Sequence, residues 1–140
     1  TLEYLETMGV PVVGFRTDTV PAFYARSSGF PVDYRIEESR DAAQAMHTKF
    51  DLGMDGAVLV TNPVPEEHAL EAAEIDGTIA LAIDEMNTRG ITGKETTPFL
   101  LATIAEKTGG ESLQANIELV LNNARLAAEI AQHYSQLANN

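Results

Sequence analysis

The stretch Val10-Pro-Val-Val-Gly-Phe15 decides the fold, because it is apolar at almost every position and too short to form a helix. A Val-rich run of this length is typical of a strand that is buried on both faces of a sheet. A second apolar run covers residues 57–60. Between the two, Val32-Asp-Tyr-Arg-Ile36 alternates apolar and polar residues, which predicts a strand with one wet face near an edge of the sheet.

The segments around these strands show helical spacing of apolar residues. Helices are predicted at 1–8, 39–52, 71–89, 99–108 and 112–137, with Ser39, Thr97 and Ser112 as N-caps. Gly77 weakens the third helix, so its start is expected to lie later in the chain. The last helix carries two apolar stripes and is expected to be largely buried. Strands interleaved with helices predict an α/β protein with helices on both sides of the sheet.

Composition excludes several functional classes. The 140 residues include 21 Asp and Glu against 9 Lys and Arg, for a formal net charge of -12. This charge repels a phosphate backbone, so no nucleic-acid partner is expected. The chain has no Cys, which fits a reducing cytoplasmic setting. No apolar run approaches the roughly 20 residues that span a bilayer, so no membrane partner is expected.

The strongest polar anomaly is the pair Asn116 and Asn123, which lie seven residues apart on one apolar stripe of the last helix. A buried amide without partners costs about 1 to 3 kcal/mol, so each amide needs a role. Two interpretations stay open. The amides cap a neighbouring loop or helix end from within the core, or they recognise a planar ligand group such as an imide or a nucleobase. Asn122 points about 100° away and is interpreted as structural.

Gly93-Lys-Glu-Thr-Thr-Pro-Phe99 is a second candidate region. Capping of the next helix explains Thr97 and Pro98, while the backbone N–H groups of a helix start also suit an anion. Lys94 fits a solvated or ion-paired loop residue better than a Schiff-base amine. Arg26-Ser-Ser-Gly29 fits a surface turn or a phosphate contact. The histidines lack metal-ligand spacing, so no metal site is predicted within this stretch.

Four segments carry a resemblance to a known family. They are Thr1-Leu-Glu-Tyr-Leu-Glu-Thr-Met-Gly-Val-Pro-Val-Val-Gly-Phe15, Asn62-Pro-Val-Pro-Glu66, Gly93-Lys-Glu-Thr-Thr-Pro-Phe-Leu-Leu-Ala102 and Ser112-Leu-Gln-Ala-Asn-Ile-Glu-Leu-Val-Leu-Asn-Asn-Ala124. In order and spacing they closely resemble the pseudouridine-5'-phosphate glycosidases, the indigoidine synthase A-like family. The resemblance runs through essentially the whole chain.

The resemblance implies a three-layer α/β/α fold with a central mixed sheet, of which this chain supplies part. It also implies a homotrimeric, manganese-dependent, cytoplasmic enzyme. Such an enzyme reversibly cleaves the C–C glycosidic bond of pseudouridine 5'-phosphate to uracil and ribose 5-phosphate. In the family a lysine attacks C1' of the opened ribose to form an iminium that acts as electron sink, a glutamate donates a proton, and an aspartate supports the metal.

Family members are about twice as long as this chain, and those three catalytic groups precede the motif that begins at Thr1. Residues 1–140 are therefore expected to be the C-terminal portion of a single glycosidase catalytic domain, with no catalytic residue of their own. Manganese is expected to be bound by the N-terminal half. Asn116 is carried over as a substrate-binding residue, and Lys94 and Thr97 are further substrate-binding candidates. The alternative is a non-catalytic α/β module for small-molecule binding or assembly.

Overall fold

The computed structural model describes residues 1–138. Its helices are α1 (Leu2–Thr7), α2 (Ser39–Asp51), α3 (Ala72–Thr88), α4 (Thr96–Lys107) and α5 (Glu111–Ala138), and its strands are β1 (Val12–Phe15), β2 (Tyr34–Ile36) and β3 (Leu59–Thr61). Short 3-10 turns at Glu66–His68 and Gly93–Glu95 precede α3 and α4. The predicted α/β class is confirmed.

The three strands form one sheet in the order β2-β1-β3, and β1 is parallel to both neighbours. The prediction that β2 lies at an edge is correct. A mixed sheet was expected, but the strands within residues 1–138 all run parallel. The reason is that the segment 16–33 and helix α2 each return the chain to the amino edge of the sheet before the next strand begins.

The central strand is buried at Val12, Val13 and Gly14. The backbone of Thr17 approaches β1 so closely at Gly14 that only glycine fits there. A Cβ atom at this position would collide with the backbone oxygen of Thr17 and touch Val32. The segment 16–33 therefore folds tightly over one face of β1, and glycine is what lets it do so.

The other face of the sheet packs against α2 and the carboxyl-terminal half of α5. Ala42 and Ala43 of α2 meet Leu126 and Ile130 of α5, and Phe15, Ile36 and Val60 of the three strands pack against this cluster. The two alanines have small side chains, so the helices approach closely. Helices were predicted on both sides of the sheet, but within residues 1–138 this is the one helical layer, because the segment 16–33 lies against the other face at Gly14.

The amino-terminal half of α5 belongs to a second cluster, away from the sheet. Ala115 and Leu119 pack there against Ile75 and Ala82 of α3 and Ile104 of α4. Tyr24 and Val64, which come from loops, complete this core. One long helix thus joins a sheet-based region to a helical region.

The predicted helix starts need correction. Glu38, not Ser39, is the N-cap of α2, and it forms a capping box with Asp41. Helix α4 begins at Thr96 with Glu95 at the N-cap, because the preceding 3-10 turn already holds Glu95 in helical geometry; Thr97 lies inside the helix. Ser112 does not cap α5, since its own backbone N–H donates to the Thr108 hydroxyl. Gly77 does not delay α3, which begins at Ala72.

The expectation that α5 is largely buried is wrong for the described structure. A buried stripe consists of Ala115, Leu119, Asn122, Leu126 and Ile130, with Asn122 half-buried among four buried apolar residues. An adjacent amide stripe consists of Asn116, Val120, Asn123 and Ala127, and Val120 is 59% exposed. The pattern suggested two buried stripes, but α2, α3 and α4 cover only one side of the helix.

Candidate functional site

The carboxyl edge of the sheet gathers polar residues. Arg16 follows β1, Glu37 follows β2 and Asn62 follows β3. In open α/β sheets, ligands bind outside the carboxyl ends of the strands. This edge is therefore the first place to look for a functional site.

Asn62 is held at this edge by α5. Its Nδ2 donates to Oδ1 of Asn123 at 3.1 Å, and Nδ2 of Asn122 donates to the backbone oxygen of Pro63 at 3.1 Å. Nη1 of Arg26 donates to the backbone oxygen of Val64 at 2.6 Å. Three side chains thus fix the segment 62–64, which leads from β3 into the helical region.

Asn116 lies two turns before Asn123 on the amide stripe, roughly 10.5 Å away along the helix axis. It is half-buried, and no side-chain hydrogen bond is formed by its amide within residues 1–138. Its neighbour Ala115 is buried in the helical core, so the backbone at this position is rigidly placed. A positioned amide with free donors and an acceptor is suited to reading a planar polar group.

The two interpretations of the asparagines now separate by residue. Asn122 fits the capping role, because it lies in the buried stripe and satisfies a loop carbonyl. The sequence indicated a structural role for Asn122, and its hydrogen bond to Pro63 fits that interpretation. Asn123 bonds to Asn62 on the exposed stripe, and the amide of Asn116 points to no partner in the described chain.

The structure does not place Lys94 and Thr97 beside Asn116. Both are exposed at the start of α4, whereas α5 begins beyond the opposite end of that helix. Neither side chain forms a hydrogen bond or an ion pair among residues 1–138, and Lys94 has no buried surroundings. The solvated-loop interpretation of Lys94 fits this exposure.

The segment 16–33 contains two further features that the sequence did not reveal. Arg16 and Phe23 both have positive φ, at 54° and 65°, which is unusual for non-glycine residues. Arg16 donates from Nε to the backbone oxygen of Glu37 at 2.9 Å, so it places a cation at the carboxyl edge. In Arg26-Ser-Ser-Gly29, Ser28 donates to the oxygen of Val20, as expected of a surface turn.

Tyr24 is the one strongly buried ionisable group beside this region. It is 4% exposed and its ring meets that of Phe23 edge to face. Burial raises the pKa of the Tyr24 phenol above its ordinary value, and a hydrogen bond with Ser112 acts in the opposite direction. The group is therefore neutral at physiological pH and acts as part of the core.

No three His, Asp or Glu side chains converge within residues 1–138. No helix in the same range is both long and apolar enough to cross a bilayer.

Together, the fold and this edge define a class: an α/β protein whose amide and guanidinium groups gather at the carboxyl ends of parallel strands, where small molecules are bound. The chain belongs to the family described as indigoidine synthase A like protein, whose model matches residues 1–133. The resemblance drawn from the four sequence segments is therefore confirmed.

Relatives and solved structures agree with this membership. The chain is 57% identical over 137 residues to a pseudouridine-5'-phosphate glycosidase of Caldanaerobacter subterraneus, covering 98% of this chain and 45% of the relative. It is 49% identical over 138 residues to that of Escherichia coli, covering 99% of this chain and 44% of the relative. The crystal structure of the prealnumycin C-glycosynthase AlnA in complex with ribulose 5-phosphate matches with a TM-score of 0.86 at 36% identity, covering 99% of this chain and 46% of that one. The chain thus spans less than half the length of the relatives that it matches.

Proposed function

We propose that these residues are the C-terminal portion of the catalytic domain of a pseudouridine-5'-phosphate glycosidase. The observation that carries the proposal is the identity of about half of all positions to relatives of that name, over nearly the whole chain. The reaction breaks the bond between uracil and C1' of the ribose and yields uracil and ribose 5-phosphate. The AlnA complex adds support, because a pentose phosphate is bound there by the same fold.

In this proposal, the chain contributes substrate contacts. Asn116 donates to and accepts from uracil or the opened sugar, because its half-buried amide is rigidly placed and has no internal partner. Asn62 and Asn123 hold the adjacent edge of the site. Lys94 and Thr97 stay a separate proposal for contacts to an anionic group, since a cation and a helix start both suit an anion; within residues 1–138 they do not lie beside Asn116.

The covalent chemistry is assigned to the rest of the domain. Of the three lysines here, Lys49 donates to the backbone oxygen of Asp55, Lys107 pairs with Glu85, and Lys94 is exposed. We infer that the attacking lysine, the proton-donating glutamate and the manganese ligands lie outside residues 1–140. A homotrimeric, cytoplasmic enzyme completes the proposal.

The experiment compares two samples. A family-length protein, in which residues 1–140 are joined to the remainder of the domain, is incubated with pseudouridine 5'-phosphate, and uracil is measured by chromatography. Release of uracil is expected from this protein and not from residues 1–140 alone. A family-length protein without activity would refute the proposed function, and uracil release by residues 1–140 would refute the assignment of chemistry to the rest of the domain.

Size and cooperativity distinguish the alternative, a non-catalytic α/β module. Such a module is complete in 140 residues and should unfold cooperatively while staying soluble. Part of a catalytic domain should instead aggregate through its exposed apolar surface, which includes Leu113, Ile117 and Val120 of α5. Light scattering of the family-length protein tests the proposed trimer separately.

A further inference from the structure

Three hydroxyl groups meet inside the helical region, where the start of α5 is buried. Ser112 is 0% exposed, and Tyr24 is nearly as well buried. The hydroxyl of Thr108 donates to Oγ of Ser112 at 3.0 Å, and a side-chain hydrogen bond joins Ser112 to Tyr24. The backbone N–H of Ser112 donates to Oγ1 of Thr108 at 3.2 Å. Together these three residues are called the hydroxyl cluster.

The hydroxyl cluster joins three separate parts of the chain. Thr108 is the C-cap of α4, Ser112 lies in the first turn of α5, and Tyr24 belongs to a loop. Between α4 and α5, Gly109 and Gly110 have positive φ, at 60° and 95°, and glycine leaves a connection conformationally free. The rotation of α5 about its axis is therefore set by the contacts of the helix and not by the connection that precedes it.

Asn116 lies one turn beyond Ser112. Residues four apart project from nearly the same face of a helix, so the rotation that buries Ser112 also sets where the amide of Asn116 points. A helix with its side chains is about 10–12 Å across, so a rotation of about 10° moves a group at its surface by roughly 1 Å. A misplacement of about 1 Å can cost an enzyme about 100-fold in rate. Because this amide forms no side-chain hydrogen bond within residues 1–138, the helix alone aims it.

We propose that Ser112 is a positioning residue for Asn116. Held between Tyr24 and Thr108, Ser112 fixes the rotation of α5 and thereby aims the free amide at the substrate. Ser112 is fully buried and acts only through Asn116. The inference rests on the proposed function, because it requires that Asn116 contacts pseudouridine 5'-phosphate.

A double-mutant cycle in the family-length protein tests the inference. Uracil release is measured for the parent, Ser112→Ala, Asn116→Ala and the variant with both changes, at a temperature well below every thermal midpoint. Ser112→Ala is expected to lower kcat/KM by about five- to tenfold when Asn116 is present. In the Asn116→Ala background the same change is expected to have no effect, because no amide is left to aim.

Two outcomes of the cycle would overturn the inference. If Ser112→Ala leaves kcat/KM unchanged in the active parent, the serine serves the core alone. If the losses of the two single variants multiply in the double variant, Ser112 acts independently of Asn116. An inactive parent is a separate result, because it refutes the proposed function and this inference with it.

Ser39→Ala is the matched control, because Ser39 is also a buried serine at the start of a helix and lies in α2, away from the hydroxyl cluster. A serine that only stabilises the fold affects the free energy of unfolding and leaves the folded molecules active. Ser39→Ala is therefore expected to lower the thermal midpoint and to leave kcat/KM unchanged.

Tyr24→Phe is the second variant, and it decides the matter if Ser112→Ala does not fold. It keeps the aromatic ring in the helical core and removes only the hydroxyl that is bonded to Ser112. Its kcat/KM is expected to fall about threefold or more in the parent background and to stay unchanged in the Asn116→Ala background. No loss in the parent background, or the same loss in both backgrounds, would overturn the inference.

Discussion

The two stripes of helix α5 are nearly alike in sequence and opposite in environment. Each places asparagine among aliphatic residues, yet the buried stripe carries the two cores of the molecule while the amide stripe faces outward with Val120 59% exposed. The asparagine of the buried stripe satisfies a loop carbonyl, and Asn116 of the amide stripe keeps its hydrogen-bonding groups free. Similar composition therefore stabilises the fold on one side of the helix, whereas on the other side we propose that it contacts the substrate, and substitutions can separate the two roles.

The largest expected effect is the loss of a buried side chain. Leu126→Ala removes a residue that is 6% exposed between α2 and the sheet, so the free energy of unfolding of the family-length protein should fall by about 2 to 5 kcal/mol. Urea titration followed by circular dichroism measures it. Leu121→Ala, on the far side of α5, is the matched control and should cost about 0.5 kcal/mol or less. Equal costs for both would mean that, in the whole domain, the far side of α5 is packed as tightly as the buried stripe.

The second effect concerns activity. Asn116→Ala in the family-length protein should lower kcat/KM for pseudouridine 5'-phosphate at least about tenfold, which corresponds to roughly 1.4 kcal/mol of transition-state stabilisation. The thermal midpoint should change little, because the amide has no internal partner. Asn87→Ala, an exposed asparagine of α3, is the control. Unchanged kinetics together with lost stability would assign Asn116 to the core instead.

The third prediction compares the stability lost when each of two adjacent asparagines is replaced. Asn122→Ala leaves the backbone oxygen of Pro63 without its donor and should destabilise the protein by about 1 to 3 kcal/mol. Asn123→Ala breaks an exposed side-chain bond to Asn62 and should cost well under 1 kcal/mol. Chemical denaturation of both variants under one condition makes the comparison direct. A larger loss for Asn123→Ala would contradict the division into a buried and an exposed stripe.

The sequence predicted those structural features that depend on neighbouring residues, and it missed features that depend on contacts between residues far apart in the chain. Short apolar runs located β1 and β3 and an alternating run located β2, because these patterns are local; within residues 1–138 only β1 is buried, whereas Leu59 of β3 is 40% exposed. The cap at Thr97 was predicted wrongly because the preceding 3-10 turn, which pattern reading did not anticipate, starts the helix earlier. The choice between the two stripes of α5 depends on where α2, α3 and α4 pack, and nothing local to α5 encodes it.

The candidate site also contains one residue that a local sequence pattern predicted and one that it did not. Asn116 was predicted as a site residue because an amide on an apolar stripe is anomalous in the sequence itself, and that role stays a prediction. Arg16 was missed, since its role depends on a positive φ and on the carbonyl of Glu37, which lies 21 residues away. The four segments carried the family membership, because long ordered motifs hold information that composition and periodicity do not.

The smallest effect is a pH dependence in the helical core, where Tyr24 lies beside Ser112 at the start of α5. Burial raises the pKa of Tyr24, so the folded protein holds the phenolic proton more tightly than the unfolded chain does. The associated stability is fully present below the ordinary tyrosine pKa of about 10 and is lost as the pH rises through the higher pKa of the folded state.

Tyr24→Phe keeps the ring in the core and removes the proton. The variant should therefore lose stability less steeply than the parent above pH 10, by at most about 1.4 kcal/mol per pH unit. Urea midpoints between pH 8 and pH 11 measure the slope, and Tyr4→Phe, at a tyrosine that is 66% exposed, should follow the parent. If Tyr24→Phe also follows the parent, the phenol is solvated in the whole domain, and the helical core would then be open beside the amide stripe.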